Sequence, residues 1–184
     1  YFMTAKTEHG GLGIDATTAG SVVGTYWFLM FVGRFVGGAL GAKFSSKAML
    51  SFVASLGLCF VLLAIFLPTD ILVNMPVFNK NISFGLAEVP VTVMLLTLCG
   101  LCTSVMWGGI FNLATEGLGK YTAAASGIFM VMVCGGGILS TLQSYVADIF
   151  GYVQSYWVVI LGLAYILYYA LVGSKNVNKD IVVN

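Results

Sequence analysis

Long apolar stretches separated by short polar segments organise the chain. Five of these stretches are almost free of charged residues, and at about 1.5 Å per residue each is long enough to cross ~30 Å of hydrocarbon. They contain scattered glycines and lack the strict two-residue alternation of outer-membrane strands, so the pattern predicts helices. The predicted spans are residues 17–42, 48–67, 91–114, 121–147 and 152–172. The expected fold class is therefore all-α, a polytopic bundle of transmembrane helices.

Composition strengthens this interpretation. Hydrophobic residues make up 59% of the chain, charged residues make up 8%, and the mean hydropathy is +0.99. An ordinary soluble domain carries about a quarter charged residues, so this chain could not cover a water-facing surface. The net charge of +1 gives no basic field for nucleic acid. The expected partner is the lipid bilayer, and nucleic acid is excluded.

The polar segments predict the domain organisation and the orientation in the membrane. Residues 1–16 are expected to be an external segment with the stump of a preceding helix, residues 17–174 the bundle, and residues 175–184 a cytoplasmic tail. Basic residues mark the cytoplasmic side. One side collects more lysines than the other, namely Lys43, Lys47, Lys120, Lys175 and Lys179 against Lys6 and Lys80. We therefore expect the N-terminus and the 68–88 segment outside, and the C-terminus in the cytoplasm.

The predicted spans lack the groups that catalysis or metal binding needs. They contain no aspartate, glutamate or histidine, and no phosphate loop or Ser/His/Asp set. All four cysteines lie within spans, where the CxxC of Cys99 and Cys102 is typical of two small packing residues. We therefore expect no enzyme activity, no metal and no cofactor.

Arg34 is the ionisable residue deep within a predicted span. A charge at the bilayer centre costs about 2.5–3.5 kcal/mol or more, so Arg34 should face protein or a wet cavity and have a partner. Glu116, at the end of the third span, is the nearest plausible acid. We expect a structural ion pair between Arg34 and Glu116 in one transport state, with a substrate or coupling role for Arg34 as the alternative.

The third span presents a polar and aromatic face. At about 100° per residue, the positions that share one side are Gly100, Thr103, Ser104, Trp107 and Phe111. An indole stacks on the apolar C–H face of a sugar, and hydroxyl groups bond its rim. The face therefore fits a sugar site, and the alternative is a buried aromatic in helix packing.

Glycines mark two further features. In the first span Gly33, Gly37 and Gly41 recur at four-residue spacing, which predicts close helix packing in lipid. In the fourth span the run 135–137 is all glycine, which predicts a hinge or a very close neighbour. The same span carries a polar stripe that should turn away from lipid, namely Gly136, Ser140, Gln143 and Ser144. Packing is the alternative role for this stripe.

Several short motifs keep their order and spacing along most of the chain. They are Tyr26-Trp27, Gly33-Arg34-Phe35-Val36-Gly37, Ile110-Phe111-Asn112-Leu113-Ala114, Glu116-Gly117-Leu118-Gly119, Ser126-Gly127, Gly135-Gly136-Gly137, Ala147-Asp148 and Gly151. Together they resemble the fucose and glucose/galactose proton-symporter branch of the major facilitator superfamily. Members of this family have twelve helices in two pseudo-symmetric halves. The resemblance implies that the five spans are helices eight to twelve.

The resemblance also implies a function. The expected activity is sugar uptake coupled to protons across the cytoplasmic (inner) membrane, with the proton-titrating carboxylates in a missing N-terminal half. The residues expected to contact the sugar are Trp107, Thr103, Ser104, Tyr26 and Gln143. Two alternatives stay open, a carrier of another small polar solute and a non-transporting membrane scaffold subunit.

Overall fold

The structure is a computed structural model that describes residues 2–7, 10–79 and 83–175. Its helices are α1 (Ala16–Gly41), α2 (Ser46–Phe66), α3 (Val91–Thr115), α4 (Thr122–Met132), α5 (Gly135–Phe150) and α6 (Tyr152–Tyr168). A short 3-10 turn, Gly119–Tyr121, precedes α4, and α6 continues as a π-helical turn, Tyr169–Gly173. Within the described residues, five helical segments are long and apolar enough to cross a membrane. The predicted bundle of transmembrane helices is confirmed.

Polar side chains and glycines set the helix ends. The Asp15 carboxylate accepts a hydrogen bond from the Thr18 N–H at 3.0 Å and caps α1. Hydrogen bonds from the Thr18 side chain and N–H lower the pKa of Asp15. Ser45 caps α2 by accepting from the Ala48 N–H at 3.3 Å. Gly151 ends α5 at a φ of 97°, the positive value expected of a glycine stop between two spans.

The loop between α2 and α3 contains a β-hairpin that the sequence analysis missed. Its strands, β1 (Leu72–Phe78) and β2 (Phe84–Pro90), are antiparallel. Their cross-strand partners run from Leu72 and Pro90 to Phe78 and Phe84. Side chains alternate between buried Met75 and Val77 and exposed Asn74 and Pro76. This two-residue alternation is the signal that could have predicted β1.

Hydrogen bonds fix the hairpin to the N-terminal half of α1. The Phe78 N–H donates to Thr25 Oγ1 at 2.8 Å, and the Ser21 hydroxyl donates to Asn79 Oδ1 at 3.2 Å. The Phe78 ring stacks on Phe28 with centroids 5.3 Å apart. The hairpin is therefore packed against the bundle rather than extended from it.

Two hydrophobic cores lie on opposite sides of α3. The larger core joins α2, α3 and α6, and its buried members are Leu50, Ala54, Val61, Cys102, Met106, Ile160, Leu163 and Ala170. The smaller core joins α1, the hairpin and the start of α3 through Val22, Met75, Val77, Val89 and Val93. Cys102 is 1% exposed, which fits the packing role expected of the CxxC.

Glycines bring α1 and α3 into close contact. A Cβ atom on Gly33 would clash with Ser104 Oγ and would lie 2.9 Å from Ser104 Cβ. A Cβ atom on Gly37 would lie 2.7 Å from a methyl group of Val105. A Cβ atom on Gly100 would lie 2.8 Å from the Tyr26 carbonyl oxygen. The close packing predicted for Gly33 and Gly37 is confirmed.

The fourth span is not the continuous helix expected at residues 121–147. It breaks between α4 and α5, where the N–H groups of Val133 and Cys134 bond three residues back instead of four. A Cβ atom on any of the three following glycines would meet no atom within 4 Å in the described structure. The glycine run was expected to mark either a hinge or a very close neighbour. The described residues show a break in the helix and no close neighbour. Low helix propensity at each glycine, about 1 kcal/mol, explains it.

Candidate functional site

A cavity of about 800 Å³ lies among α1, α3, α5 and α6, and we call it the first cavity. Three of the predicted sugar contacts line it together: Tyr26 from α1, Thr103 from α3 and Gln143 from α5. Its other polar lining residues are Thr97, Ser140, Ser144, Asp148, Tyr152, Ser155 and Tyr156. The volume is in the range of small-molecule sites.

Tyr26 and Thr103 form a hydrogen-bonded pair in the wall of the first cavity. Their side-chain oxygens lie 3.1 Å apart, and Thr103 Oγ1 is also 3.1 Å from the Cys99 carbonyl oxygen. Because the threonine hydroxyl has one proton and donates it to that carbonyl, the Tyr26 hydroxyl donates to Thr103. Gly100 makes room for the tyrosine, since its missing side chain would lie 3.1 Å from the Tyr26 ring. The phenolic oxygen keeps its acceptor capacity for a solute.

The polar stripe of α5 provides the facing wall. The Ser140 hydroxyl donates to the Gly136 carbonyl at 2.8 Å, and the Ser144 hydroxyl donates to the Ser140 carbonyl at 3.0 Å. Both serine oxygens therefore remain acceptors. The half-buried Gln143 carboxamide makes no hydrogen bond within the described part of the chain. It offers two donors and an acceptor to a bound solute.

Apolar side chains fill the spaces between these polar groups. Val22, Val93, Leu96 and Val159 line the first cavity. At one edge the Phe2 ring packs against Tyr152 and Tyr156, with centroids 5.9 and 6.3 Å apart. Apart from the Asp148 carboxylate, the polar groups of the first cavity are uncharged, and such groups among apolar walls suit a neutral solute with hydroxyl groups and an apolar face.

A smaller cavity, the second cavity, has a volume of about 540 Å³. It lies between α1 and α3 toward the start of α2, and two other predicted sugar contacts, Ser104 and Trp107, line it. The predicted single face of α3 is therefore divided between the two cavities. The cause is the contact between α1 and α3 at Gly33, because Ser104 is buried there and its hydroxyl donates to the Leu101 carbonyl at 2.5 Å.

Trp107 has an aromatic neighbour, Phe129, on α4. Its ring lies 5.0 Å from the Phe129 ring, and Phe111 lies 5.5 Å from the same ring. Trp107 remains 43% exposed, so a large part of the indole is free to touch a solute. The contact with Phe129 supports a packing role for Trp107, and the exposed part of its indole supports a binding role.

The structure does not bring Arg34 and Glu116 together. Arg34 lines the second cavity, and within the described residues its contact is Met30 Sδ, 3.9 Å from a guanidinium nitrogen. Its neighbour Gly33 lies opposite Ser104, twelve residues before Glu116 on α3, or about 18 Å at helical rise. That distance exceeds the reach of an arginine side chain. The expected ion pair is therefore not formed in this structure.

Five polar lining residues of the first cavity were not predicted as site residues. Thr97 precedes Gly100 and Thr103 by about one and two helical turns, so the α3 face could have included it. Three others lie on α6, namely Tyr152, Ser155 and Tyr156, and Asp148 lies near the end of α5. These four reach the cavity through the packing of α5 on α6, which no local pattern reveals.

Five apolar spans around a cavity with polar groups define a polytopic membrane protein. The chain is 31% identical over 90% of its length to a Helicobacter pylori J99 protein described as a candidate glucose/galactose transporter. It is 31% identical over 89% to a glucose/galactose transporter of Brucella abortus, and 26% identical over 66% to the L-fucose-proton symporter of Escherichia coli K12. The chain is thus homologous to the fucose and glucose/galactose branch of the major facilitator superfamily, and the resemblance carried by its motifs is confirmed.

The chain spans little more than a third of the length of the glucose/galactose transporters, 37% and 35% for the two relatives above. No protein-family model matches it, and no solved structure matches it significantly.

Proposed function

We propose that the chain forms part of a sugar transporter that takes up a glucose-, galactose- or fucose-like sugar with protons. The observation that carries the proposal is the first cavity, in which Tyr26, Thr103 and Gln143 surround a space of about 800 Å³ in a homologue of such transporters. The names of the relatives support the sugar, and the name of the Escherichia coli relative supports proton coupling. The proposal assigns the protein a transport function and no catalysed reaction.

The chemistry of the first cavity supports a neutral sugar. The Tyr26 oxygen, the α5 serine oxygens and the Gln143 carboxamide offer acceptors and donors at several points, as the hydroxyl groups of a sugar ring require. Trp107 and Ser104 remain predicted sugar contacts. Because both residues line the second cavity, a sugar that contacts them must extend into that cavity. Binding between two halves of the protein, with rocking of one half against the other, is the mechanism that this family suggests.

The proposal includes an orientation and a second half. The lysine distribution supports an external N-terminus, a cytoplasmic C-terminus and an inner-membrane location. Lys80 and residues 176–184, on which part of that prediction rests, lie outside the described residues. The second half would supply the proton-titrating carboxylates, and the share of the relatives' length that the chain spans supports it.

Uptake by the intact protein tests the proposed function. Cells that lack their own sugar carriers and express the protein should accumulate radiolabelled glucose, galactose or fucose, and a protonophore should abolish the accumulation. Sugar addition to lightly buffered cells should make the medium more alkaline. Accumulation of a different polar solute would replace the sugar in this proposal. Absence of any uptake by correctly inserted protein would favour the scaffold alternative.

Cysteine labelling tests the orientation. In a background without the native cysteines, Ser83→Cys in the hairpin loop should react with an impermeant maleimide in intact cells. Lys120→Cys should react only after the membrane is opened. The reverse pattern would overturn the orientation.

A further inference from the structure

The second cavity contains an unpaired positive charge. Arg34 is its only charged lining residue in the described structure, and no carboxylate pairs with it there. The Met30 sulfur at 3.9 Å is a weak acceptor and cannot neutralise a guanidinium. Arg34 lies nine residues before Lys43, or about 13 Å along α1. The Arg34 side chain is exposed on the described part of the protein, and at this depth in a membrane such a charge is costly without an anion.

Other polar groups at the second cavity also lack partners. The Trp107 indole N–H, the Asn112 carboxamide and the Ser46 hydroxyl line it, and none makes a hydrogen bond within the described residues. The remaining surface is largely glycine, contributed by Gly37, Gly38, Gly41, Gly108 and Gly109. The cavity therefore combines one cation, several donors and open space.

The surroundings of the second cavity are also basic. Lys43 lies between α1 and α2, and Lys120 follows α3. Lys47 lies in the first turn of α2, and its ammonium group donates to the Leu171 carbonyl at 3.1 Å. Glu116 is the acid at this end of the described bundle. Such an excess of lysines raises the local concentration of anions.

We infer that the second cavity binds a phosphate group, held by the Arg34 guanidinium. A guanidinium presents a planar fork of N–H donors that matches phosphate oxygens. The volume of about 540 Å³ leaves room for a molecule larger than a bare phosphate ion, and we take the phosphate to be part of such a molecule. That molecule is either a soluble phosphate ester or a phospholipid whose headgroup enters from the bilayer. The site is separate from the first cavity, and a sugar that extends to Trp107 and Ser104 would compete with the phosphate group for the second cavity.

Binding to the intact protein in nanodiscs tests the inference. In phosphatidylcholine nanodiscs, radiolabelled glycerol 3-phosphate should bind the wild type, and Arg34→Gln should weaken binding roughly ten- to a hundredfold. Lys120→Gln removes the same charge at the same end of the bundle but outside the cavity, and it should retain binding. In a second arm without glycerol 3-phosphate, phosphatidylglycerol in the nanodisc should raise the melting temperature of the wild type more than that of Arg34→Gln.

The two arms identify the source of the phosphate. An effect of Arg34 on glycerol 3-phosphate alone indicates a soluble ester, and an effect on phosphatidylglycerol alone indicates a lipid headgroup. Gly38→Leu fills the cavity while leaving Arg34 in place, and a Cβ atom there meets nothing within 4 Å. This folded variant should also lose binding. Equal loss in Lys120→Gln, unchanged binding in a folded Arg34→Gln or Gly38→Leu, or no binding in either arm would overturn the inference.

Discussion

The two cavities share one wall, helix α3, yet they differ in chemistry. The first cavity presents mostly uncharged hydrogen-bonding groups, such as the Tyr26–Thr103 pair and Gln143, among apolar side chains, and its charged lining residue is the acid Asp148. The second cavity presents the Arg34 guanidinium, an indole and bare glycine backbone. Neighbouring residues Thr103 and Ser104 belong to different cavities, because α1 contacts α3 at Ser104. The α3 face looks continuous in the sequence, but its contact with α1 determines which cavity each of its residues lines.

The contact that separates the cavities should be the most sensitive point of the structure. Leucine at Gly33 would collide with Ser104 and with the Leu101 carbonyl, which a Cβ atom would approach to 3.2 Å. We expect Gly33→Leu to lower the free energy of unfolding by about 3 kcal/mol, the upper range for overpacking. Thermal unfolding in detergent measures the loss. Gly38→Leu, on the open side of α1, is the matched control and should change stability little. Equal stability of the two variants would contradict this account of the separation.

Trp107 tests whether the sugar uses both cavities. If the indole contacts the sugar, Trp107→Ala should weaken sugar binding by about 1–3 kcal/mol, and Trp107→Tyr should lose far less because a stacking ring remains. Equilibrium binding on purified intact protein measures this effect. Trp157→Ala, which truncates an exposed α6 indole outside both cavities, is the control. Unchanged affinity in a stable Trp107→Ala protein would restrict the sugar to the first cavity.

The Tyr26–Thr103 hydrogen bond should have a smaller effect, confined to the first cavity. Tyr26→Phe removes the donated hydrogen bond and the phenolic acceptor, so sugar affinity should fall by about 0.5–1.5 kcal/mol, roughly two- to tenfold. Thr103→Val should have a similar effect, and the double variant should lose less than the sum of both. Tyr145→Phe, at an exposed tyrosine outside both cavities, should keep wild-type affinity. Strict additivity would mean that the two hydroxyl groups act separately.

The smallest expected effect concerns the break between α4 and α5. This break separates the polar stripe of α5 from Phe129 of α4, which packs against Trp107. Gly136→Ala has room for its methyl group and should stabilise the protein by about 0.4–1 kcal/mol while slowing transport. Unfolding and initial uptake rates measure the two effects. Gly162→Ala, in the middle of α6 and equally free of neighbours, should stabilise without slowing transport. If both variants transport at the same rate, the break has no role in the transport cycle.

Local sequence patterns predicted most of the fold. Apolar stretches located all five spans, and the spacing of Gly33 and Gly37 predicted the close approach of α1 and α3. The β-hairpin was missed because a segment bounded by prolines was interpreted as a loop, although Met75 and Val77 alternate with polar or exposed neighbours. The helix break was ambiguous because a glycine run fits both a hinge and a tight contact.

The candidate site was less predictable than the fold. Helical periodicity identifies the residues that share one side of α3. It does not identify the helix or side chain that each of these residues contacts. Thr103 meets Tyr26 and a cavity, Ser104 meets Gly33, and Trp107 meets Phe129. The Arg34–Glu116 pair was proposed from charge and position near the end of a span. The axial offset of about 18 Å between Ser104, which lies opposite Gly33, and Glu116 could be derived only once the register of α1 against α3 was known.

The β-hairpin connects α1 and α3, two helices that lie apart in the sequence. Its first strand is bonded to α1 through Thr25, and its second strand runs directly into α3, whose first N–H donates to the Ile71 carbonyl at 2.8 Å. A tilt of α1 away from α3 at this end would have to break the Phe78–Thr25 bond and open the core around Val22 and Val89. The hairpin therefore holds α1 and α3 together at this end of the bundle. If a solute enters the first cavity, we expect α5 to move rather than α1, because the described residues contain no comparable link on the α5 side.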